Sequence, residues 1–320
     1  MGELSFLDAL QFCLILMSVP VYIWFLCTIL KYRKKSPFNS SFFTLSLSIG
    51  VQDILSITFD WIFSKFAMFD WLQMGWLSRS YPRIVGNLIS VMATYGAIAQ
   101  HTAVALIAVN RYTSVALPTR HNKIWNKRFT RNVCIAMWLC PALIVSPLVG
   151  QPYGIEVDNQ TGQVGGIIHH CPACQIISVV GLFFYNWIIN VTSITLYAMA
   201  FYKARRATEP VAESASVKPK RIDLRLSFVG FTLSLILIAY GCTVLAMILL
   251  GIGETNVKWW TRLIILWGWI KDILGWCNPY LCMLMSPAVR EHMMALIYTP
   301  KPAISTTGVN KTERRAHHHH

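Results

Sequence analysis

The chain has 320 residues, of which 55% are hydrophobic and only 13% are charged, and its net charge is +14. Soluble globular proteins carry about 25% charged and about 45–50% apolar residues. This composition excludes a disordered, collagen-like, coiled-coil or disulfide-dense secreted chain. The basic residues are clustered between long apolar runs rather than spread over one folded surface. We therefore expect one membrane domain and no nucleic-acid partner.

Seven apolar runs are candidates for membrane-spanning helices. A bilayer whose hydrocarbon core is about 30 Å thick needs about 20 apolar residues of helix to cross it. The predicted spans are residues 6–30, 41–63, 84–109, 133–148, 176–202, 224–250 and 263–285. The predicted fold class is all-α, a seven-transmembrane helix bundle that forms one domain over residues 1–298.

The basic residues predict the orientation of the spans. Of the 28 Lys and Arg residues, 22 fall in alternate connections, namely residues 31–40, 111–131, 203–225 and the tail after Met285. Short loops rich in Lys and Arg stay in the cytoplasm. The N-terminus is therefore expected outside and the C-terminus inside. The sequon at Asn159 falls in the longest external loop, where glycosylation is possible.

The C-terminal part is predicted to follow the inner membrane surface and then to leave it. Val289, Met293, Leu296 and Ile297 repeat with helical spacing, which predicts a short amphipathic helix over residues 287–298 on the inner leaflet. Residues 299–320 are expected to be a flexible cytoplasmic tail. The run His317–His320 at its end is typical of a purification tag.

Charged side chains inside the predicted spans are the first candidates for function, because a bilayer makes them costly. Asp53 and Asp60 lie two turns apart on one face of the second span, and Lys271 and Asn278 share a face of the seventh. If these antiparallel spans are neighbours, Asp53 meets Asn278 and Asp60 meets Lys271. Such pairs are either a structural clamp or a ligand anchor. Asp272 lies on another face and is assigned no role.

The inner ends of the spans carry a combination of motifs that is more specific than any one of them. Asn110-Arg111-Tyr112 closes the third span, Trp138 lies midway along the fourth, and Asn278-Pro279-Tyr280 lies in the seventh. With the predicted orientation and Asp53, this combination resembles G-protein-coupled receptors. The chain is more specifically similar to nematode serpentine chemoreceptors of the Srg superfamily, particularly class V. The stretches that carry this similarity are Val19–Tyr22, Phe42–Asp53, Asn110–Pro118, Ile124-Trp125 and Asn278–Cys282.

The resemblance implies a chemosensory receptor in the plasma membrane of a sensory neuron, with an external small-molecule ligand and a heterotrimeric G protein as partners. The activation switch would comprise Asn110, Arg111, Tyr112, Asn278, Pro279 and Tyr280. Our hypothesis is that Asp223 holds Arg111 in the resting state. The ligand is expected near the outer third of the bundle. Candidate ligand-binding residues are Asp60, Asn87, Ser90, Thr94, Tyr95, Trp267 and Lys271.

Several positions depart from the rhodopsin-like pattern. Asn110 replaces the usual Asp and cannot titrate. No Cys lies at the outer end of the third span, so the usual disulfide to the next external loop cannot form. Cys171 and Cys174 can either pair with each other or remain a free dithiol.

Two other classes of protein are alternatives to a receptor. A small membrane transporter or channel would also explain seven spans and buried charges, although the sequence shows no internal repeat. An intramembrane enzyme is not expected, because no catalytic motif occurs. We likewise expect no cofactor and no bound metal.

Overall fold

The computed structural model describes residues 6–65, 80–151, 153–157, 164–169, 172–206, 217–252 and 257–297. The helices in these ranges are α1 (Phe6–Tyr32), α2 (Ser41–Asp60), α3 (Pro82–Ala116), α4 (Pro118–Ile124), α5 (Lys127–Val145), α6 (Pro172–Arg206), α7 (Val217–Ile252), α8 (Val257–Met285) and α9 (Pro287–Ile297). A π-helical turn, Trp61–Lys65, continues α2, and a 3-10 turn, Ser146–Leu148, continues α5. The strands are β1 (Tyr153–Val157) and β2 (Val164–His169).

The predicted all-α bundle is confirmed. Within the described residues, the six helices α1, α2, α3, α5, α6 and α7 are long and apolar enough to cross a membrane. Helix α8 has 29 residues and is also long enough. It differs from the others in carrying Lys271 and Asp272 near its centre. The described part of the chain is thus built around seven long helices, followed by the short helix α9.

Most of the long helices extend beyond the predicted spans at one or both ends. The predicted spans cover only the residues expected in the hydrocarbon core, whereas a helix continues until its backbone groups find other partners. Helix α5 begins at Lys127 because the Asn126 side chain accepts a hydrogen bond from the Phe129 amide at 2.9 Å. The connection before it is itself partly helical, because Pro118 occupies the first turn of α4.

Helix α3 lies at the centre of the bundle. It contacts α2, α5, α6 and α7, while α8 contacts α1, α2 and α7. Helices α2 and α8 are therefore neighbours, which is the condition on which the expected charge pairs depended. Because α3 contacts four other long helices, it connects most of the bundle.

The largest cluster of buried apolar side chains joins the inner parts of α1, α2, α3 and α8 to α9. Val289 and Met293 of α9 are completely buried in it, and Trp24 Nε1 of α1 donates to the Met293 carbonyl at 3.1 Å. Ile297 is exposed. The predicted amphipathic helix is present, and the apolar face of its first two turns packs on the bundle.

Helices α6 and α7 face each other through small and polar residues. They pack in an antiparallel register whose facing pairs are Asn186 and Gly241, Asn190 and Leu237, and Tyr197 and Gly230. A Cβ atom on Gly230 would lie 1.7 Å from the Tyr197 hydroxyl. The glycine is therefore required for the tyrosine ring to fit at this depth. We call these three facing pairs the α6–α7 seam.

An antiparallel β-hairpin lies in the connection between α5 and α6. Its register runs from Tyr153 opposite His169 to Val157 opposite Val164, with an irregularity after Glu156. Both strands contact α3. The sequence did not predict this hairpin, because its strands are short and the second contains two glycines, which weaken a strand pattern.

Candidate functional site

Arg111 lies at the inner end of α3 but is not exposed there. Its side chain is only 3% exposed, its guanidinium carbon lies 4.1 Å from the centre of the Phe42 ring, and Nη2 donates to Asn110 Oδ1 at 3.4 Å. Asn110 in turn donates through Nδ2 to Ser41 Oγ at 2.7 Å. An aromatic face stabilises a cation that lies over it, and the stabilisation increases as water is removed. The start of α2 therefore holds both residues of the motif inside the bundle.

The segment after Arg111 is held against α3 by side-chain hydrogen bonds. Trp125 Nε1 donates to Thr113 Oγ1 at 2.9 Å, and the His121 ring lies 3.1 Å from the same oxygen. Thr113 and Trp125 are both buried. This arrangement fixes α4 and its basic residues beside the inner end of α3. Tyr112 points to α6, where Lys203 Nζ lies 5.7 Å from its ring centre.

Asp53 is the buried carboxylate at the centre of α2, and its partners differ from those expected. Tyr22 donates its hydroxyl to Asp53 Oδ2 at 2.6 Å, and Gln100 Nε2 donates to Oδ1 at 3.2 Å. Among the described residues, Asp53 makes no hydrogen bond to Asn278. Asn278 lies beside the Tyr22 hydroxyl and accepts from Cys282 Sγ at 3.6 Å. The expected direct contact is thus replaced by an arrangement in which Tyr22 stands between the two groups.

The second expected pair is present in the structure. Lys271 Nζ lies 2.7 Å from Asp60 Oδ1, with the two side chains 20% and 15% exposed. The Lys271 ammonium also lies 5.6 Å from the centre of the Trp267 ring. Asp272, to which the sequence assigned no role, is buried and accepts a hydrogen bond from Gln11 Nε2 on α1. Consecutive residues of α8 therefore tie it to α2 on one side and to α1 on the other.

A small cavity lies between α2, α3 and α8, beside the ion pair. Its polar lining includes Asp60, Lys271, Asp272, Gln100 and Ser56, and its apolar lining comes from α2 and α3. Its volume is about 20 Å³. That is enough for about one water molecule and far below the roughly 300–1,000 Å³ of a typical ligand site. In this conformation the cavity is closed to anything but a very small molecule.

The structure separates the candidate ligand-binding residues into two groups. Asp60 and Lys271 line the cavity. Asn87 donates instead to the Leu148 and Gln151 carbonyls, both at 3.2 Å, and Tyr95 donates to the Trp138 carbonyl at 3.4 Å. These two residues connect α3 to α5, which explains their polarity without a ligand. The cavity lining, as far as the described residues define it, does not include Ser90, Thr94 or Trp267.

Tyr280 does not lie with the other residues of the predicted switch. It is on the outer face of α8, where its hydroxyl donates to Ser18 Oγ of α1 at 3.1 Å. Tyr280 is two residues after Asn278, so the helical period places it on the opposite face of α8 from the buried Asn278. Its place in the activation switch stays a prediction, and the contact that the structure describes for it joins α8 to α1.

Some predicted residues lie outside what the structure describes. The side chains of Asp223 and Cys174 are not described, nor are Asn159, Cys171 and residues 298–320. Arg111 has a further described neighbour that the sequence did not suggest. The fully buried Tyr197 of α6 is close enough to interact electrostatically with it. Among the described residues, the Tyr197 hydroxyl has no hydrogen-bond partner.

Three residues important to the site were not predicted, and their signals differ in strength. Gln100 is a polar residue in an apolar run and could have been singled out. Tyr22 and Tyr197 read as ordinary aromatic residues of spanning helices. Their hydroxyls become significant only when packing turns them toward Asp53 and Arg111.

Comparison with known proteins matches almost the whole of this sequence. A family model described as "Serpentine type 7TM GPCR chemoreceptor Srv" matches residues 11–298. The Caenorhabditis elegans protein "Serpentine receptor class V-1" is 24% identical over 279 residues, which cover 85% of this chain and 83% of that protein. The matched range includes Arg111, the Asp60–Lys271 pair, the cavity and α9. The resemblance carried by the sequence motifs is thereby confirmed.

Proposed function

Since the chain belongs to the Srv family of serpentine seven-transmembrane chemoreceptors, we propose that it binds an external small molecule near the outer helix ends and activates a heterotrimeric G protein at the inner ends. It is a multi-pass membrane protein of a chemosensory receptor family rather than of an enzyme family. In the proposed orientation the N-terminus is outside, and α4, α9 and the tail are cytoplasmic. By family resemblance we place it in the plasma membrane of a sensory neuron.

The burial of Arg111 is the observation that carries this proposal. An arginine that only anchors a helix at the membrane surface extends its guanidinium to the headgroups and water. Arg111 does the opposite, since it is 3% exposed and stacks on Phe42. Keeping a cation in a dry interior is costly unless the surroundings compensate it. A structure that accepts this cost has a charged group to release when the inner helix ends separate.

Helix α3 offers a direct route from the cavity to Arg111. Gln100 lines the cavity and donates to Asp53, and Asn110, ten residues further along α3, donates to Ser41. Helices α2 and α3 are thus tied at two levels about 15 Å apart. A ligand that displaces Gln100 loosens the upper tie and shifts α3 against α2. The equilibrium between the intact and the broken Asn110–Ser41 hydrogen bond, next to Arg111, then shifts.

The small cavity is consistent with a resting receptor. A ligand can shift the equilibrium between two conformations only through its different affinity for them. A site of about 20 Å³ cannot hold an odorant-sized molecule, so the ligand would select a conformation in which α2, α3 and α8 are further apart. The binding free energy would then come largely from the opened state. This is the property that a ligand-activated switch requires.

The inner surface carries basic and aromatic side chains that a G protein could contact. The basic residues of α4 and of the inner end of α6 flank Arg111, and Lys203 is already placed over Tyr112. Tyr197 has a free hydroxyl beside Arg111 among the described residues. When Arg111 leaves Phe42, this hydroxyl can accept a hydrogen bond from the guanidinium. The G-protein α subunit would then bind to the surface that the separated helices expose.

The test is to substitute Arg111 and a matched exposed arginine on the same side. Arg111→Ala should reach the cell surface yet fail to stimulate nucleotide exchange on a co-reconstituted G protein. Arg131→Ala, at an exposed position on α5, should retain exchange. Arg111→Lys keeps the charge and serves as a variant less prone to misfolding. Because Lys cannot reproduce the planar stacking of Arg, it should reduce exchange.

Unchanged exchange in correctly folded Arg111→Ala would contradict the proposed role of this residue. Solute flux through proteoliposomes, with no effect of the protein on G-protein nucleotide exchange, would instead favour the transporter or channel alternative. Accessibility labelling that finds the C-terminal tail outside the cell would overturn the proposed orientation.

A further inference from the structure

An open groove on the lipid-facing side of the bundle shares no lining residue with the cavity and does not include Arg111. It lies along α8 and ends against α9, and its volume is about 550 Å³. Apolar side chains of α8 form almost all of its lining, from Ile273 at one end to Leu284 at the other. Leu284 is 67% exposed, and Tyr280 forms part of the wall toward α1. The groove therefore opens toward the lipid rather than toward another described helix.

The length of the groove matches one leaflet. Ile273 and Leu284 are eleven residues apart, which corresponds to about 16 Å along a helix. Half of a hydrocarbon core of about 30 Å is nearly the same distance. Helix α8 ends at Met285, directly beyond Leu284. The groove thus runs from the membrane surface to the bilayer centre, which is the path of one acyl chain.

A single charged side chain marks the surface end of the groove. Among its described lining residues, Arg290 of α9 is the one that is charged. Its Nη1 donates to the Met283 and Leu284 carbonyls at 2.8 Å and 2.9 Å, which fixes the guanidinium at the end of α8. Within the described part of the chain, no carboxylate pairs with Arg290. Its exposed guanidinium retains donors in the planar arrangement that binds phosphate oxygens well.

We propose that this groove binds an anionic glycerophospholipid, with one acyl chain along α8 and the phosphate on Arg290. The cytoplasmic leaflet carries the anionic lipids of a cell membrane. The assignment to that leaflet rests on the orientation given under Proposed function, whereas the binding itself does not. The site gives Tyr280 a role in the groove wall in addition to its hydrogen bond to Ser18.

The experiment measures lipid binding by the purified full-length chain in detergent, using native mass spectrometry. The probes are phosphatidylserine and phosphatidylcholine with identical palmitoyl and oleoyl chains. A basic residue at a membrane surface contributes about 1 kcal/mol toward an anionic lipid, so phosphatidylserine should bind about fivefold more tightly. Equal binding of the two lipids to the wild-type chain would overturn the proposal.

Matched variants separate Arg290 from the general basic charge of the inner surface. Arg290→Gln should remove the preference for phosphatidylserine. Arg33→Gln, which loses the same charge at an exposed position after α1, should keep it. Equal loss in the two variants would show that surface charge alone is responsible and would refute a defined site. Arg290→Lys, which should retain most of the preference, shows whether a loss in Arg290→Gln reflects misfolding.

A third arm distinguishes the whole lipid from its headgroup. Soluble glycerophosphoserine carries the same phosphate without acyl chains, so it should not displace phosphatidylserine at equal concentration. Displacement would show that the groove contributes nothing and would overturn the acyl-chain assignment. None of these measurements involves the receptor's ligand or a G protein. Failure of the lipid site and failure of the receptor function are therefore distinguishable.

Discussion

Gly230 is the position at which the packing of the bundle predicts the strongest effect of adding one methyl group. In Gly230→Ala the new Cβ would lie 1.7 Å from the Tyr197 hydroxyl, 2.7 Å from Cζ of the same ring and 3.0 Å from Ile107. Carbon atoms do not approach an oxygen so closely, so the ring would have to retreat by about 1.3 Å in a close-packed interior. Tyr197 is completely buried, so its neighbours would have to shift together with the ring.

The magnitude follows from two opposing contributions. Forcing an extra methyl group into a packed interior costs about 1–3 kcal/mol. Replacing glycine by alanine within a helix returns up to about 1 kcal/mol. The matched control is Gly181→Ala on α6, where a new Cβ would meet nothing within 4 Å and only the favourable contribution applies. We therefore expect Gly230→Ala to be less stable than Gly181→Ala by about 1–3 kcal/mol.

The assay is thermal inactivation of the detergent-purified variants, together with their surface expression. The midpoint should fall for Gly230→Ala and should stay the same or rise for Gly181→Ala. Placing Gly230→Ala in a Tyr197→Leu background should remove most of the penalty, because residues in contact couple by about 0.5–3 kcal/mol. If Gly230→Ala proves as stable as Gly181→Ala, the described packing of α6 against α7 is wrong.

Two further substitutions test the polar contacts of the site. Asp60→Asn and Lys271→Met should each lower thermal stability by an amount between about 1 kcal/mol for an exposed pair and 3–5 kcal/mol for a fully buried one. The double variant should recover part of the loss, and additive losses in a double-mutant cycle would contradict a coupled ion pair. Trp125→Phe removes the hydrogen bond to Thr113 but keeps the ring, so it should cost about 1 kcal/mol in the same assay. No loss at all would mean that this bond does not hold α4 in place.

The Asp60–Lys271 pair could be predicted from the sequence because few quantities determine it. The helical period fixes which residues share a face, and opposite chain directions fix which levels coincide. The same pattern placed Asp53 and Asn278 at similar depths in the bundle, but it did not identify the hydrogen-bond partners of Asp53. Tyr22 comes from a third helix, and the rotation of α1 about its own axis depends on packing that the sequence pattern does not show.

The ligand candidates were harder to predict for a different physical reason. In a bilayer every polar group must find a partner within the protein. Asn87 and Tyr95 do so by donating to backbone carbonyls near the end of α5 and within it. From the sequence, a polar residue that fastens two helices cannot be told from one that faces a ligand. Most of the long helices were predicted too short for a related reason. Hydropathy shows which residues can lie in the hydrocarbon core, but it does not show where the backbone hydrogen bonds of a helix end.

The α6–α7 seam constrains how these two helices can move. Gly230 and Gly241 are eleven residues apart, almost exactly three turns, so both glycines lie on the same line of α7. Turning α7 by one residue about its axis would replace each glycine with a larger side chain, and Phe231 would take the place of Gly230 against Tyr197. The seam therefore opposes rotation of α7 about its own axis, whereas an outward tilt would avoid this clash and would have to break the hydrogen bond from Asn190 to the Leu237 carbonyl.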